Sequence, residues 1–246
     1  MEYTDLAIDI TNKIGKGEKK DNGIFFTPQT TINTALDRLG SFKPKRILEP
    51  SCGACGFIAA VCERFPEAEV VGVELNPTIY ENIASMSNDR VTIHHNDFIQ
   101  SKLGMFDLII GNPPYFVIPK KDVPKSYHKF FTGRPNIFIL FIVKSLAQLN
   151  PSGILSFVLP RSFLNSHYYQ KVREHIAENY TILDINDCSA HRYIETQQDT
   201  FLITIQNIPP VNDINNRFII NIASSIAFNT EESIVSLKEL IKGSTT

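Results

Sequence analysis

The sequence lacks a surplus of positive charge: 24 Lys and Arg stand against 26 Asp and Glu, a net charge of -2 at pH 7. A free-standing nucleic-acid binder ordinarily carries a basic excess, so any grip on nucleic acid must be local or come from outside these residues. Cysteine is scarce too, with only Cys52, Cys55, Cys62 and Cys188. Three of them crowd into one short stretch, which makes no disulfide framework for 246 residues. Cys52-x-x-Cys55 has the local spacing of a metal or redox pair, but no second Cys/His pair follows at zinc spacing. Small buried cysteines are therefore expected, and no metal. Long apolar runs are missing as well. The longest, residues 137–143, is far short of the roughly 20 residues a membrane helix needs. Met1-Glu2-Tyr3-Thr4-Asp5 has neither the basic nor the apolar segment of a signal peptide. A reducing, cytoplasmic setting without a membrane is expected.

What is present is an ordinary globular balance, 43% apolar and 20% charged, enough for one large α/β domain or two small ones with a buried core. Residues 1–22 are polar and include the charge run Lys16-Gly17-Glu18-Lys19-Lys20, which reads as a solvated N-terminal arm. In residues 23–28 an apolar triplet, Ile24-Phe25-Phe26, ends at Thr27. The proline that follows pushes Thr27 to extended geometry, so its hydroxyl is presented. Ile32, Ala35, Leu36 and Leu39 have helical spacing. A strand over 45–49 then passes into Pro50-Ser51-Cys52-Gly53-Ala54-Cys55-Gly56 and a helix near 57–64. Small residues at such a turn let a ligand approach the backbone, and the helix start offers free N–H groups. Gly-x-x-Gly without a third glycine is only a partial dinucleotide fingerprint. A second strand, 69–74, ends at Glu74, after which Asn76-Pro77 supply an N-cap and a first-turn proline.

Glu74 lies about 20 residues beyond those glycines, where a Rossmann-like fold sets a carboxylate against ribose hydroxyls. A carboxylate there either leads the next helix or faces a ligand; strand end, spacing and residue type together favour the ligand. A third strand, 90–94, leads to Asn96-Asp97-Phe98. Three strand ends in succession thus deliver an acid (Glu49, Glu74, Asp97), a pattern suited to a nucleoside pocket. The fourth strand, 106–111, runs into Asn112-Pro113-Pro114-Tyr115. Two prolines cannot continue the ladder, so a rigid turn holds an amide and a phenol at a strand's carboxyl end, where open α/β sheets place their ligands. These residues read as a catalytic pocket acting on an exocyclic amino group. Residues 116–135 form a long loop with Lys120, Lys121, Lys125, Lys129 and Arg134 against only Asp122. It is either a soluble loop or a contact for a phosphate backbone. A helix (136–149), a strand (153–159), a helix (162–178) and a strand (181–186) follow. Beyond them come Tyr193, a strand at 200–205 and another over 217–223. Residues 236–246 read as an element cut off part-way, and there is no internal repeat.

In these positions the chain resembles the gamma-class N6-adenine-specific DNA methyltransferases of restriction-modification systems. Residues 23–28 resemble the family's N-terminal motif, 49–57 its first cofactor motif and 73–77 its ribose motif. Asn96-Asp97-Phe98 resembles the motif that holds the cofactor's adenine, and 112–115 the catalytic motif. Residues 136–138, 153–164 and Tyr193 resemble later motifs, so the likeness spans roughly 20–206. Glu49-Pro50-Ser51-Cys52 departs from the commoner Asp-Pro-Ala-Cys but keeps the carboxylate. The resemblance implies an α/β class I S-adenosylmethionine-dependent methyltransferase fold: a Rossmann-like, mostly parallel seven-stranded sheet with helices on both faces. It further implies a catalytic domain over 23–225, followed at 226–246 by a linker or the start of a truncated target-recognition domain.

The resemblance assigns roles as well. Asn112, Pro113 and Tyr115 are expected to be catalytic, the first two accepting from the adenine amino group. S-adenosylmethionine would meet Thr27, Glu49, Pro50, Ser51, Cys52, Gly53, Glu74, Leu75, Asp97, Phe98, Asn112 and Pro114. Tyr115 and Tyr193 would stack on the flipped base, although Tyr193 also reads as an ordinary buried tyrosine before a strand. Lys120, Lys121, Lys125, Lys129 and Arg134 would face the DNA backbone. Double-stranded DNA is the implied partner, with a cognate restriction endonuclease or a separate specificity domain or subunit beside it. The release-factor glutamine methyltransferases share the tetrapeptide, but a segment like 23–28 is not expected in them. A catalytically silent, binding-only subunit fits poorly with an intact Asn112-Pro113-Pro114-Tyr115.

Overall fold

The structure, a computed structural model, describes residues 3–191, 193 and 199–210, and the backbone of two further strands, Arg217–Asn221 and Ile234–Ser236. The chain folds around one sheet. Its strands are β1 (Arg46–Glu49), β2 (Glu69–Glu74), β3 (Val91–His95), β4 (Phe106–Gly111), β5 (Leu149–Pro160), β6 (Thr181–Asp187), β7 (Thr200–Gln206), β8 (Arg217–Asn221) and β9 (Ile234–Ser236). They lie in the order β3-β2-β1-β4-β5-β7-β6-β8-β9. β1 to β5 pair in parallel, and β7 runs antiparallel between β5 and β6. The expected seven-stranded, mostly parallel sheet is therefore present, extended at the β6 edge by β8 and β9. Residues 222–233 and 237–246, which include the end of the strand expected over 217–223 and nearly all of the segment read as cut off, lie outside the described residues.

Alternation along the strands gives the sheet two buried faces. Ile47, Val70, Leu108 and Ile110 point into one core, while Leu48, Val71 and Ile109 point into the other, as a period of two requires. The first core is closed by α1 (Asp5–Lys13), α3 (Gln29–Asp37), α4 (Gly56–Arg64) and α5 (Pro77–Ile83), through Ile10, Ile32, Ile58 and Ile79. The second is closed by α6 (Ile137–Ala147), α7 (Ser162–Asn165) and α8 (Gln170–Asn179), through Phe138, Phe163, Val172 and Ile176. The chain winds outward from β1 through β2 to β3, then crosses to β4 on the other side of β1. That reversal opens a crevice at the carboxyl ends of β1 and β4.

Two elements differ from expectation. Residues 3–22, the described part of the segment read as a solvated arm, are not one: α1 and α2 (Lys16–Asn22) form there. The Thr4 hydroxyl caps α1 by accepting from the Ala7 N–H at 3.1 Å, and Ala7, Ile10 and Ile14, one helical face, are buried. The polar composition masked this short apolar stripe. The helix expected over 162–178 is broken between α7 and α8, because Ser166 is extended and caps a separate turn at His167–Tyr169.

Candidate active site

Glu49 ends β1 in a buried position, 4% exposed, and its Oε2 accepts from the Ile58 N–H at 3.1 Å in the first turn of α4. The connecting loop is tight: Gly53 and Cys55 both have positive φ, and Cys52 N–H donates to the Val73 carbonyl at 2.9 Å. Glu74 closes β2 and is 7% exposed. Its two oxygens accept from the backbone N–H groups of Gly53 (2.9 Å) and Asn76 (2.7 Å). One carboxylate thus fastens the small-residue loop after β1 to the end of β2.

The turn after β4 meets this loop, since the Ser51 hydroxyl donates to the Asn112 carbonyl at 3.2 Å. Residues 23–28 lie across the same turn as a strap. Gly23 has φ +62, and a Cβ there would come 2.7 Å from the Tyr115 nitrogen, so only glycine permits the approach. Asn112 Nδ2 donates to the strap's Phe25 carbonyl at 3.3 Å, which turns Oδ1 the other way. There the Tyr115 hydroxyl stands between two acceptors, Asn112 Oδ1 and the Val158 carbonyl, the latter at 2.7 Å. A phenol has one hydrogen for both. Burial raises the Tyr115 pKa well above its usual value, so the phenol stays neutral and donates. The ring packs edge-on against Phe138, centroids 5.9 Å apart.

Two cavities adjoin at this junction. The larger, about 770 Å³, is lined by Pro50, Ser51, Gly53, Glu74, Leu75, Asp97, Phe98, Asn112 and Pro114 among others; ligand sites commonly measure about 300–1,000 Å³. Thr27, Glu49 and Cys52 instead line a smaller cavity of about 40 Å³, which shares Ser51, Gly53 and Asn112 with it. All twelve residues expected at a cofactor thus border one or other cavity. Phe98 does so from the core: the residue is 2% exposed and its ring packs on Phe141, centroids 5.1 Å apart. Sequence reasoning missed Glu18 and Asn22 of α2, which line the larger cavity; Glu18 is held there by Asn76, whose Nδ2 donates to its Oε1 at 2.8 Å. The signal was the buried stripe of α1, which brings α2 over the crevice.

Tyr193 lies apart from the larger cavity's lining. Its hydroxyl accepts from Thr200 at 3.5 Å, and burial raises its pKa. The cysteines are free, and burial pushes the Cys188 thiol up to about 12. Residues 116–135 are more ordered than a long loop. Two short 3-10 turns, buried Val123, Phe130 and Phe131, and an Ile118 N–H bond to the Pro135 carbonyl (3.0 Å) anchor them. Lys120, Lys121, Lys125, Lys129 and Arg134 are all exposed, with Lys129 Nζ 4.9 Å from the Phe130 ring centre. Among the described residues no cluster of three or more His, Cys, Asp or Glu is placed to hold a metal, and no helix is long and apolar enough to cross a membrane.

Burial, and after it the neighbouring Cys55 and Glu74, raises the Glu49 pKa well above the carboxylate range. A raised folded-state pKa means that this group's contribution to stability is complete below its unfolded value of about 4.3 and is lost as pH rises through the folded value. Glu49→Gln removes the titrating carboxyl but keeps an oxygen for the Ile58 N–H. It is expected to raise the thermal midpoint at pH 7.5 by about 2–4 °C, as about 1 kcal/mol would, and the difference should close near pH 4. Melting curves of both proteins at the two pH values check this; a lower midpoint at both would contradict it.

The sequence pattern of the Eco57I restriction-modification methylase family matches residues 55–193, more than half of the chain. The chain belongs to this family. Individual relatives agree. Modification methylase CviBIII of Paramecium bursaria Chlorella virus NC1A is 34% identical over 214 residues, covering 85% of this chain and 56% of that protein. Type II methyltransferase M.AccI of Acinetobacter calcoaceticus is 28% identical over 94% of this chain and 43% of its own length. The chain thus spans about half the length of the curated relatives it matches. Among solved structures, the type I restriction-modification methyltransferase subunit of Streptococcus thermophilus superposes with a TM-score of 0.67 at 17% identity, over 90% of this chain and 52% of that one. A Listeria monocytogenes protein described as a class I S-adenosylmethionine-dependent methyltransferase superposes with a TM-score of 0.64 at 18% identity, over 79% and 63%. The fold is that of the class I S-adenosylmethionine-dependent methyltransferases. The residues present fit that cofactor: the larger cavity is lined by the buried Glu74 carboxylate and by the Asp97 carboxylate, groups whose oxygens would accept from ribose hydroxyls and from an adenine amino group.

Proposed function

We propose that the chain transfers a methyl group from S-adenosylmethionine to the exocyclic N6 of an adenine flipped out of double-stranded DNA, within a restriction-modification system. The observation that carries this reading is that Asn112 and Pro114, on the rigid turn after β4, line the same cavity as Glu74 and Asp97. When bound, the cofactor supplies an electrophilic sulfonium methyl. Glu74 would accept from the ribose hydroxyls and Asp97 from the cofactor's adenine amino group, while Leu75 and Pro114, which line the same cavity, would pack on its ring. Thr27, Glu49 and Cys52 border the end at which the methionine part would lie.

The target's amino nitrogen is a poor nucleophile, because its lone pair is delocalised into the ring. It has two hydrogens, and Asn112 Oδ1 and the Pro113 carbonyl would accept one each. That favours a pyramidal nitrogen with its lone pair free, and it stabilises the positive charge that develops there. The Phe25 carbonyl, by holding Asn112 Nδ2, keeps Oδ1 available for this. Without a base, the Tyr115 hydroxyl bonds to that oxygen. An incoming amino group takes the phenol's place, and the Tyr115 ring becomes one wall of the base pocket. Tyr193 would form the other, and the exposed cations of residues 120–134 would meet the phosphate backbone. Holding base and methyl in line supplies much of the remaining acceleration.

The strap over the catalytic turn and the neighbouring cations favour DNA over a release-factor glutamine. The balanced charge favours a specificity domain or subunit, with a cognate endonuclease, as partner. The test is transfer of labelled methyl to unmethylated DNA compared with release factor. Label in DNA is expected; label only in protein would overturn the reading.

A further inference from the structure

Lys144 has no part in the mechanism above, yet it is the one charged residue of α6, in the sequence IFILFIVKSLA. Its ammonium carries three hydrogens, and all three are placed: Nζ donates to the carbonyls of Phe98, Ile99 (2.9 Å) and Ser101 (2.6 Å). The same nitrogen lies 4.8 Å from the Phe98 ring centre. Residues 97–101 form a turn whose carbonyls converge on one point, an arrangement that repels itself unless a cation fills it. On its other side the turn lines the larger cavity through Asp97, Phe98, Ile99 and Gln100. Asp97 is held within it, Oδ1 accepting from the Ile99 N–H and Oδ2 from Gln100 Nε2, both at 2.8 Å.

We infer that Lys144 is the positioning residue for the adenine end of the cavity: from the core side it pins the turn that aims Asp97 at a 6-amino group. The inference rests on the cofactor reading of that cavity. Lys144 touches neither reactant and acts only through the turn. A purely structural lysine, once removed, would weaken every ligand alike. A positioning lysine changes which ligand is preferred.

Isothermal titration of S-adenosylhomocysteine, and of its analogue with hydrogen in place of the 6-amino group, separates the two. The wild type should prefer the amino compound by about tenfold or more, the worth of one charge-assisted hydrogen bond. In Lys144→Met the preference should fall below about threefold while the analogue's own affinity moves by less than about threefold. Lys144→Arg keeps the charge, but its planar fork cannot reach three convergent carbonyls; it is expected to fold and to lose part of the preference, which keeps the inference falsifiable if the methionine variant does not fold. An unchanged preference in a folded variant, or an equal loss for both ligands, overturns the role of Lys144 and leaves the cofactor reading standing. Failure of the wild type to bind either compound overturns both.

Discussion

Replacing Asn112 with alanine is expected to lower methyl transfer by about a hundredfold or more, the usual cost of losing one group aimed at a developing charge, while cofactor affinity stays within about threefold. The split follows from where the amide points. Its nitrogen is held by the Phe25 carbonyl and its oxygen faces the Tyr115 hydroxyl, while Glu74, Gly53 and Asp97 line the cavity independently. Truncation therefore removes the acceptor for the target and leaves the donor's cradle in place. Single-turnover transfer and calorimetric cofactor binding on one preparation check this. Parallel loss of both would mean that Asn112 serves the cofactor and not the target.

Glu74→Ala is expected to do the reverse first, weakening cofactor binding by about a hundredfold or more. Two charge-assisted hydrogen bonds, each worth about 1.5–3 kcal/mol, would be lost, and the Gly53 and Asn76 N–H groups would lose their shared acceptor. Burial raises the Glu74 pKa, with the Asn76 and Gly53 bonds opposing. In the free protein the carboxylate therefore takes up its proton above the ordinary value of about 4.3. Cofactor affinity should fall as pH drops through that range, and the dependence should flatten in Glu74→Gln. Titrations between pH 5 and 8 measure it; an affinity within about threefold of wild type in Glu74→Ala would contradict the assignment.

These two residues also mark what the sequence made legible. Glu49 and Glu74 end strands, and Asp97 and Asn112 follow them, where apolar runs and spacing are local signals, so their arrival at one edge could be read from the sequence. Glu18 could not, because it depends on a helix whose buried face is only three residues deep. The division of the expected cofactor residues between two cavities was equally hidden, since it comes from the strap that Gly23 lets onto the Tyr115 nitrogen. Nor did four letters, Asn-Pro-Pro-Tyr, indicate that the tyrosine hydroxyl would bond to the asparagine it follows. The phenol's place depends also on Val158 of β5, far along the chain, whose carbonyl accepts from the same hydroxyl at 2.7 Å.

The most direct measurement is the chemical identity of the product. Unmethylated DNA is incubated with the protein and methyl-labelled S-adenosylmethionine, digested to nucleosides and separated by liquid chromatography with mass detection. Label should appear in N6-methyldeoxyadenosine and vanish with Asn112→Ala. Label in a methylated cytosine, or in DNA treated with the alanine variant, would contradict the assignment of Asn112-Pro113-Pro114-Tyr115 as the site that accepts adenine.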